Sequence, residues 1–267
     1  MRLLKYFIYL LIFGLFTSCT EKVDVQLGKT APVVVIEGYI ATEVDSSYVR
    51  LSLTQDYFNP TTPVYIDNGT VEITDDKGNS LVFTYAGEGK YKGPAGYIPD
   101  TSTEYSLRVV VDGKEYTAKS MLYPMFDVDP ILEFKYQPAS GFLSEGYSVT
   151  YYSTDNRPGE IYTRFNFGQN DTIFDQEILF SSKDIKKNQR VPFELPFYRP
   201  QSGDSVIMQF RSIDIPVARY LEALSNLNSG APGPFQTPPA NPPTNISGGA
   251  VGYFMCTDVV RIGQKIP

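Results

Sequence analysis

The chain offers two thiols, Cys19 and Cys256, and no imidazole. Cys19 follows Arg2, Lys5 and an almost unbroken apolar run from Tyr6 to Phe16, with Thr17-Ser18 directly before it. The apolar run is shorter than the ~20 residues a spanning helix needs. A positive start, a short apolar stretch and small residues ahead of a cysteine are the layout of a bacterial lipoprotein signal. Cleavage after Ser18 is therefore expected, leaving Cys19 to carry acyl chains that each contribute roughly 0.8 kcal/mol per buried methylene. Phe16 stands where Leu is commoner in such signals, and the alternative reading is an ordinary secretory signal that contains a cysteine.

Cys256 has no intramolecular partner once Cys19 is acylated, so no disulfide framework is expected. Its neighbours Tyr253, Phe254 and Met255 point to a buried strand thiol. Without His, the Ser-His-Asp and Cys-His arrangements cannot be built, and zinc loses its usual nitrogen ligand. No Ser stands three residues before a Lys, and no G-x-S-x-G elbow occurs. Paired carboxylates remain, as glycosidases use them. Asp75-Asp76 sits in the turn sequence Asp75-Asp76-Lys77-Gly78-Asn79, while Asp127 and Asp129 flank a segment ending at Pro130. Both read as solvated turns, and neither continues into a calcium-loop pattern. No catalytic residue, metal or other cofactor is assigned. Without Arg2 and Lys5, the 23 Lys+Arg become 21 against 30 Asp+Glu, a formal charge of −9. Such a surface has no basic stripe for phosphates, so no nucleic-acid partner is expected.

These residues need elements to hold them, and the period-2 signal supplies strands. Val49, Leu51 and Leu53 alternate with polar neighbours, as do Val71 and Ile73, then Leu81, Phe83 and Tyr85, then Tyr105, Leu107, Val109 and Val111. Asp76-Lys77-Gly78-Asn79 and Asp112-Gly113 mark hairpin reversals. The organisation expected is a signal over 1–18, a lipidated tether over 19–32, an immunoglobulin-like β-sandwich over 33–123 and a second β-rich domain over 124–267. Strands are predicted at 148–152, 161–167, 178–180, 190–195, 205–212 and, as one closing strand, 251–262. One short helix is predicted over 216–228, with Asp214 just before it, Pro216 in its first turn and Val217, Tyr220, Leu221 and Leu224 on one face. Between 229 and 245 the density of Pro requires an extended loop. Gly230, Pro232, Pro234, Phe235, Pro238, Pro239, Pro242 and Pro243 make it the candidate partner-contact segment.

Three stretches carry a resemblance: Ala31 through Ile40 soon after the lipid cysteine, Gly203-Asp204-Ser205-Val206 leading into Pro216 through Leu221, and the ending Asn245 through Phe254. On these the chain resembles, over essentially all of its mature length, a Bacteroidota family of outer-membrane lipoproteins labelled as a domain of unknown function, DUF4249. The resemblance implies a place beside a TonB-dependent receptor of the SusC type and brings no catalytic residue. Asp171-Thr172-Ile173 and Asp204-Ser205-Val206 also resemble the O-glycosylation triplet of that phylum, with Thr172 and Ser205 as acceptors. The N-x-[ST] matches at Asn68, Asn170 and Asn245 are read as chance. Gly248, Gly249 and Gly252 read as a fold-closing turn, with Asn245 satisfying it.

The function expected is a non-enzymatic, lipid-anchored accessory or binding subunit of a TonB-dependent outer-membrane transporter or similar complex, on the cell surface. The alternative is direct capture of a glycan or peptide on surfaces drawn from 20 Tyr and 17 Phe. A third reading, a carboxylate-based hydrolase, rests on the acidic pairs alone.

Overall fold

The computed structural model describes residues 31–55, 62–228 and 242–267. Alternation becomes strands wherever it was legible. The first half forms β1 (Val34–Ala41), β2 (Tyr48–Leu53), β3 (Thr70–Asp75), β4 (Ser80–Tyr85), β5 (Lys90–Lys92), β6 (Thr103–Val111) and β7 (Lys114–Leu122). The second half forms β8 (Asp127–Val128), β9 (Glu133–Gln137), β10 (Gly146–Thr154), β11 (Tyr162–Gln169) and β12 (Thr172–Ser181). A 3₁₀ turn at Ser182–Asp184 leads to β13 (Arg190–Glu194), β14 (Ser205–Ile213), the helix α1 (Ile215–Asn228), β15 (Val251–Thr257) and β16 (Val259–Lys265). The protein is mainly β, with several sheets and one α-helix among the described residues.

Eight strands make the first sheet, in the order β15-β1-β2-β5-β4-β3-β6-β7. In β6, Tyr105, Leu107, Val109 and Val111 are buried while the residues between them are half-buried or exposed, so period 2 puts one face into the core. The sheet rolls until its outer strands meet. Ala118 on β7 bridges to Ile246, the Ser247 N–H donates to the Thr117 carbonyl at 2.7 Å, and the Cys256 N–H donates to Ser120 Oγ at 3.0 Å. One core fills this sandwich-like body, drawing Ile36 and Leu51 from its first strands and Phe254 and Cys256 from its last.

Two four-stranded sheets follow, β13-β10-β8 with β9 also on β10, and β12-β11-β14-β16. They share a second core around Phe126, Tyr151, Phe165 and Phe210. Phe165 and Phe210 are stacked at 4.8 Å between centroids, within the range where aromatic pairs add to simple burial. The two β-rich portions are not separate along the chain: β15 pairs in parallel with β1, and Pro32–Pro267 forms one compact unit.

The expected single closing strand over 251–262 is two strands in two sheets, and Asp258 explains the break. Its carboxylate accepts from Thr42 Oγ1 at 2.7 Å and from the Met125 N–H at 2.8 Å, while its own N–H donates to Ser212 Oγ at 3.0 Å. Those bonds turn the chain from the first sheet into the third. The helix begins where predicted. The Asp214 carboxylate accepts the Val217 N–H at 3.2 Å, an N-cap. Pro216, lacking an N–H, loses nothing in the first turn. Val217 is buried against Met255 with Ala218, and Leu221 packs on them, so this part of the predicted apolar face is core, while Tyr220 and Leu224 are half-buried.

Candidate binding cavity

The second and third sheets part along one side, where β13 is the edge of one and β12 the edge of the other. Pro192 in β13 suits an edge, since it has no N–H to offer a further strand. The gap is a cavity of about 460 Å³, within the ~300–1,000 Å³ of small-molecule sites. Tyr151, Phe165, Phe180 and Phe193 form much of its wall, with Ile178 and Val191 between them. Register explains the gathering: Tyr151 lies directly opposite Phe193, and Phe165 opposite Ile178. The Tyr151 ring lies 5.2 Å from that of Phe193 and 5.0 Å from that of Phe210.

Polar groups on this wall are few. Tyr151 and Ser153 stand two residues apart on one face of β10, which spaces them about 7 Å along the strand. Both line the cavity, at 3% and 4% exposure. Neither hydroxyl has a hydrogen-bond partner among the described residues, and neither is among the enclosed polar atoms left unpaired, so both are open to the cavity. Burial pushes the Tyr151 phenol well above its ordinary pKa, so it keeps its proton and can donate. The segment from β12 to β13 crosses the mouth and brings Ile185 and the exposed Lys186 to it.

Beside the cavity lies a buried ionic knot. Asp155, fully buried, accepts from Arg157 Nε and Nη2 at 3.0 Å each, and Lys187 Nζ approaches it at 3.3 Å. Arg157 also donates to the Pro124 carbonyl at 3.2 Å and stacks 5.0 Å over the Phe126 ring. Burial raises the Asp155 pKa, but the Arg157 bonds and the two cations outweigh it and hold the carboxyl below its ordinary value. The knot joins the entry of the second sheet to the β12–β13 segment. A second cavity, beside α1, is polar and carries the ion pair of Arg164 with Glu177, next to Leu221 and Glu222.

The carboxylates singled out in the sequence fall elsewhere. Asp75 holds its turn by accepting the Lys77 and Asn79 N–H groups at 3.0 and 2.8 Å. Asp129 pairs with Arg190 at 2.7 Å, and Asp127 accepts from Asn156 at 3.4 Å. Among the described residues, no three His, Cys, Asp or Glu side chains gather around a possible metal position. Cys256 is fully buried, and burial raises its thiol well above the ordinary range.

The two triplets that resemble O-glycosylation acceptors come together at one end of the third sheet. The Asn170 N–H donates to the Ser205 carbonyl at 2.9 Å, and Asn170 Nδ2 donates to Asp204 at 2.9 Å. Thr172 is exposed and Ser205 half-buried. Of the Pro-rich segment, Pro242 is half-buried and Pro243 exposed. Gly230, Pro232, Pro234, Phe235, Pro238 and Pro239 lie outside the described residues, as does Cys19. Sequence reasoning missed the cavity. The available signal was aromatic residues on inward positions of β10, β11 and β13 beside a strand proline.

Residues 20–262 match the family model described as Domain of unknown function (DUF4249), and the chain belongs to that family. No curated protein matches the chain.

Proposed function

We propose that this protein is a lipid-anchored, non-enzymatic binding subunit at the outer membrane, docking on a SusC-like TonB-dependent transporter. One structural observation supports a role through contact. Phe142 and Phe197 are 85% and 72% exposed, yet their rings pair at 5.9 Å. Phe142 is at the tip of a two-residue reversal in which Ser140 and Leu143 exchange both main-chain hydrogen bonds. Phe197 holds φ at 59°, which costs a non-glycine residue about 1–2 kcal/mol. Aromatic area displayed to solvent on such a backbone fits a contact hot spot. The lipoprotein layout ending at Cys19 and the place beside a SusC-type receptor that the resemblance implies give this reading its membrane and its partner. Among the described residues no helix is long and apolar enough to cross a membrane, and acylation of Cys19 is the attachment in this reading.

The test is affinity capture of tagged protein from detergent-solubilised outer membranes, alongside a Phe142→Ser/Phe197→Ser variant and one whose 230–244 segment is a Gly-Ser linker. Recovery of a TonB-dependent barrel, reduced by the phenylalanine variant, is expected. Recovery of no such barrel overturns the function. Recovery unchanged by the phenylalanine variant overturns that contact, and a loss confined to the linker variant moves the contact to the Pro-rich segment.

A further inference from the structure

The β12–β13 cavity combines three properties that an ordinary core defect does not. Register sets Tyr151 beside Phe193 on one sheet facing Phe165 and Phe180 on the other, two hydroxyls on its wall have no partner among the described residues, and one exposed cation stands at its mouth. Neither hydroxyl is among the enclosed polar atoms left without a partner, which are Arg50 Nε, Thr163 Oγ1, Gln209 Nε2 and Arg211 Nε, so both are open to whatever occupies the cavity. The walls favour a flat ring over a flexible chain, because Tyr151, Phe165, Phe180 and Phe193 offer faces and edges for stacking. The Tyr151 hydroxyl needs an oxygen on that ring. Lys186 makes no ion pair or hydrogen bond among the described residues, unlike Lys183 and Lys187, which pair with Glu160 and Asp155.

We propose that this cavity binds a small aryl carboxylate bearing a ring hydroxyl, with its ring among the four aromatic side chains, its hydroxyl meeting Tyr151, and its carboxylate facing Lys186. An anion left at the mouth keeps much of its hydration, whereas the same charge placed deep in the cavity would be expelled. Several kinds of contact are thus divided over one molecule, the usual pattern of a site that is mostly apolar with few convergent polar groups. The site is separate from the Phe142–Phe197 pair, so ligand binding and transporter capture can each fail alone.

The experiment uses the full chain carrying Cys19→Ala, so that no detergent competes for the cavity. The probe is 6-hydroxy-2-naphthoate, read by its fluorescence anisotropy; the chain has no Trp to interfere. Saturable one-to-one binding is expected, weakened about 5-fold by Tyr151→Phe, which removes one hydrogen bond. Lys186→Glu, at an exposed position that leaves the fold intact, should weaken it about tenfold and reduce its salt sensitivity. Val191→Trp, folded by circular dichroism, should abolish it by filling the space. Absence of saturable binding overturns the proposal, as does affinity unchanged in both Tyr151→Phe and Lys186→Glu. Binding of laurate without binding of the naphthoate overturns the aryl assignment.

Discussion

The side-chain amide of Asn245 pairs with the main chain of Phe254 as though it were a neighbouring strand. Its Oδ1 accepts the Phe254 N–H at 2.9 Å, and its Nδ2 donates to the Phe254 carbonyl at 2.8 Å. Nδ2 also reaches the Lys119 carbonyl on β7 at 3.1 Å. One amide therefore joins the two outer strands of the first sheet. Phe254 in turn packs over Gly38, where a Cβ would come within 2.6 Å of its ring. Two of the stretches that carried the family resemblance thus meet in one contact.

Asn245→Ala should lower the unfolding free energy by about 3 kcal/mol, since three hydrogen bonds are lost and each is worth about 1 kcal/mol net. Asn245→Asp should cost more at neutral pH, because a carboxylate oxygen would then face the Phe254 and Lys119 carbonyls. Urea unfolding followed by circular dichroism measures both. Equal stability of wild type and Asn245→Asp would remove the amide from its joining role.

Breaking the buried knot should be costlier. Arg157→Ala leaves Asp155 charged, buried and short of its main partner, a change that typically costs about 3–5 kcal/mol. Replacing both, as Asp155→Leu/Arg157→Met, should cost clearly less than the two single changes added together, because no fully buried charge is then left unpaired and the half-buried Lys187 keeps its bond to the main-chain carbonyl of residue 157 at 3.0 Å. Strict additivity of the singles would show that the pair is not coupled. The pH sign follows from the lowered Asp155 pKa. Its contribution is present above the unfolded value near 3.8 and is lost as pH falls through the lower folded value. Wild type should therefore lose part of its advantage over the double variant in acid.

How much of this was readable in the chain depended on range. In β6 the alternation from Tyr105 to Val111 names both the strand and its buried face. The Asn245–Gly252 stretch announced a closing turn through its residue types alone: Gly252 has φ of 108°, and a Cβ there would lie 2.1 Å from the Ile36 carbonyl. Local chemistry was silent elsewhere. β5 is three residues, with Tyr91 between two lysines, and β9 is largely exposed, so neither buries enough of a face to pattern. Thr257 and Val259 both favour strands, so the break at Asp258 shows only in its bonds to distant residues Thr42 and Met125. The cavity was hidden for the same reason: Tyr151 meets Phe193 by pairing between β10 and β13, and Phe180 faces them from the other sheet, neither of which local spacing encodes.

Cys256 should be inert in the folded protein. Its thiol is fully buried and raised well above the ordinary range, so little thiolate is exposed to attack. In the Cys19→Ala chain, dithionitrobenzoate should react with it far more slowly under native conditions than in urea. Comparable rates in the two conditions would contradict its burial.

Asp214 makes the opposite pH prediction to Asp155. Its carboxylate caps α1 through the Val217 N–H and accepts from Ser120 Oγ at 2.9 Å, so it ties the helix to β7. Burial nevertheless outweighs those bonds and raises its pKa above 3.8. The folded state then holds this proton more tightly than the unfolded state. The resulting stabilisation is fully present below the unfolded value and is lost as pH rises through the folded one. Asp214→Asn keeps an N-cap acceptor for Val217 and abolishes the titration, at a constant cost from the Met121 N–H that now meets an amide donor. The stability of Asp214→Asn relative to wild type should therefore improve as pH rises from about 4 to about 7. Urea unfolding of both proteins at the two pH values measures this, and a relative stability that falls over that range would mean that the carboxylate is better solvated by its three donors than its burial implies. Asp214→Ala should cost about 2 kcal/mol near pH 7, from the lost cap and a Ser120 O–H left without an acceptor, and more near pH 4, where wild type keeps the full contribution of its bound proton.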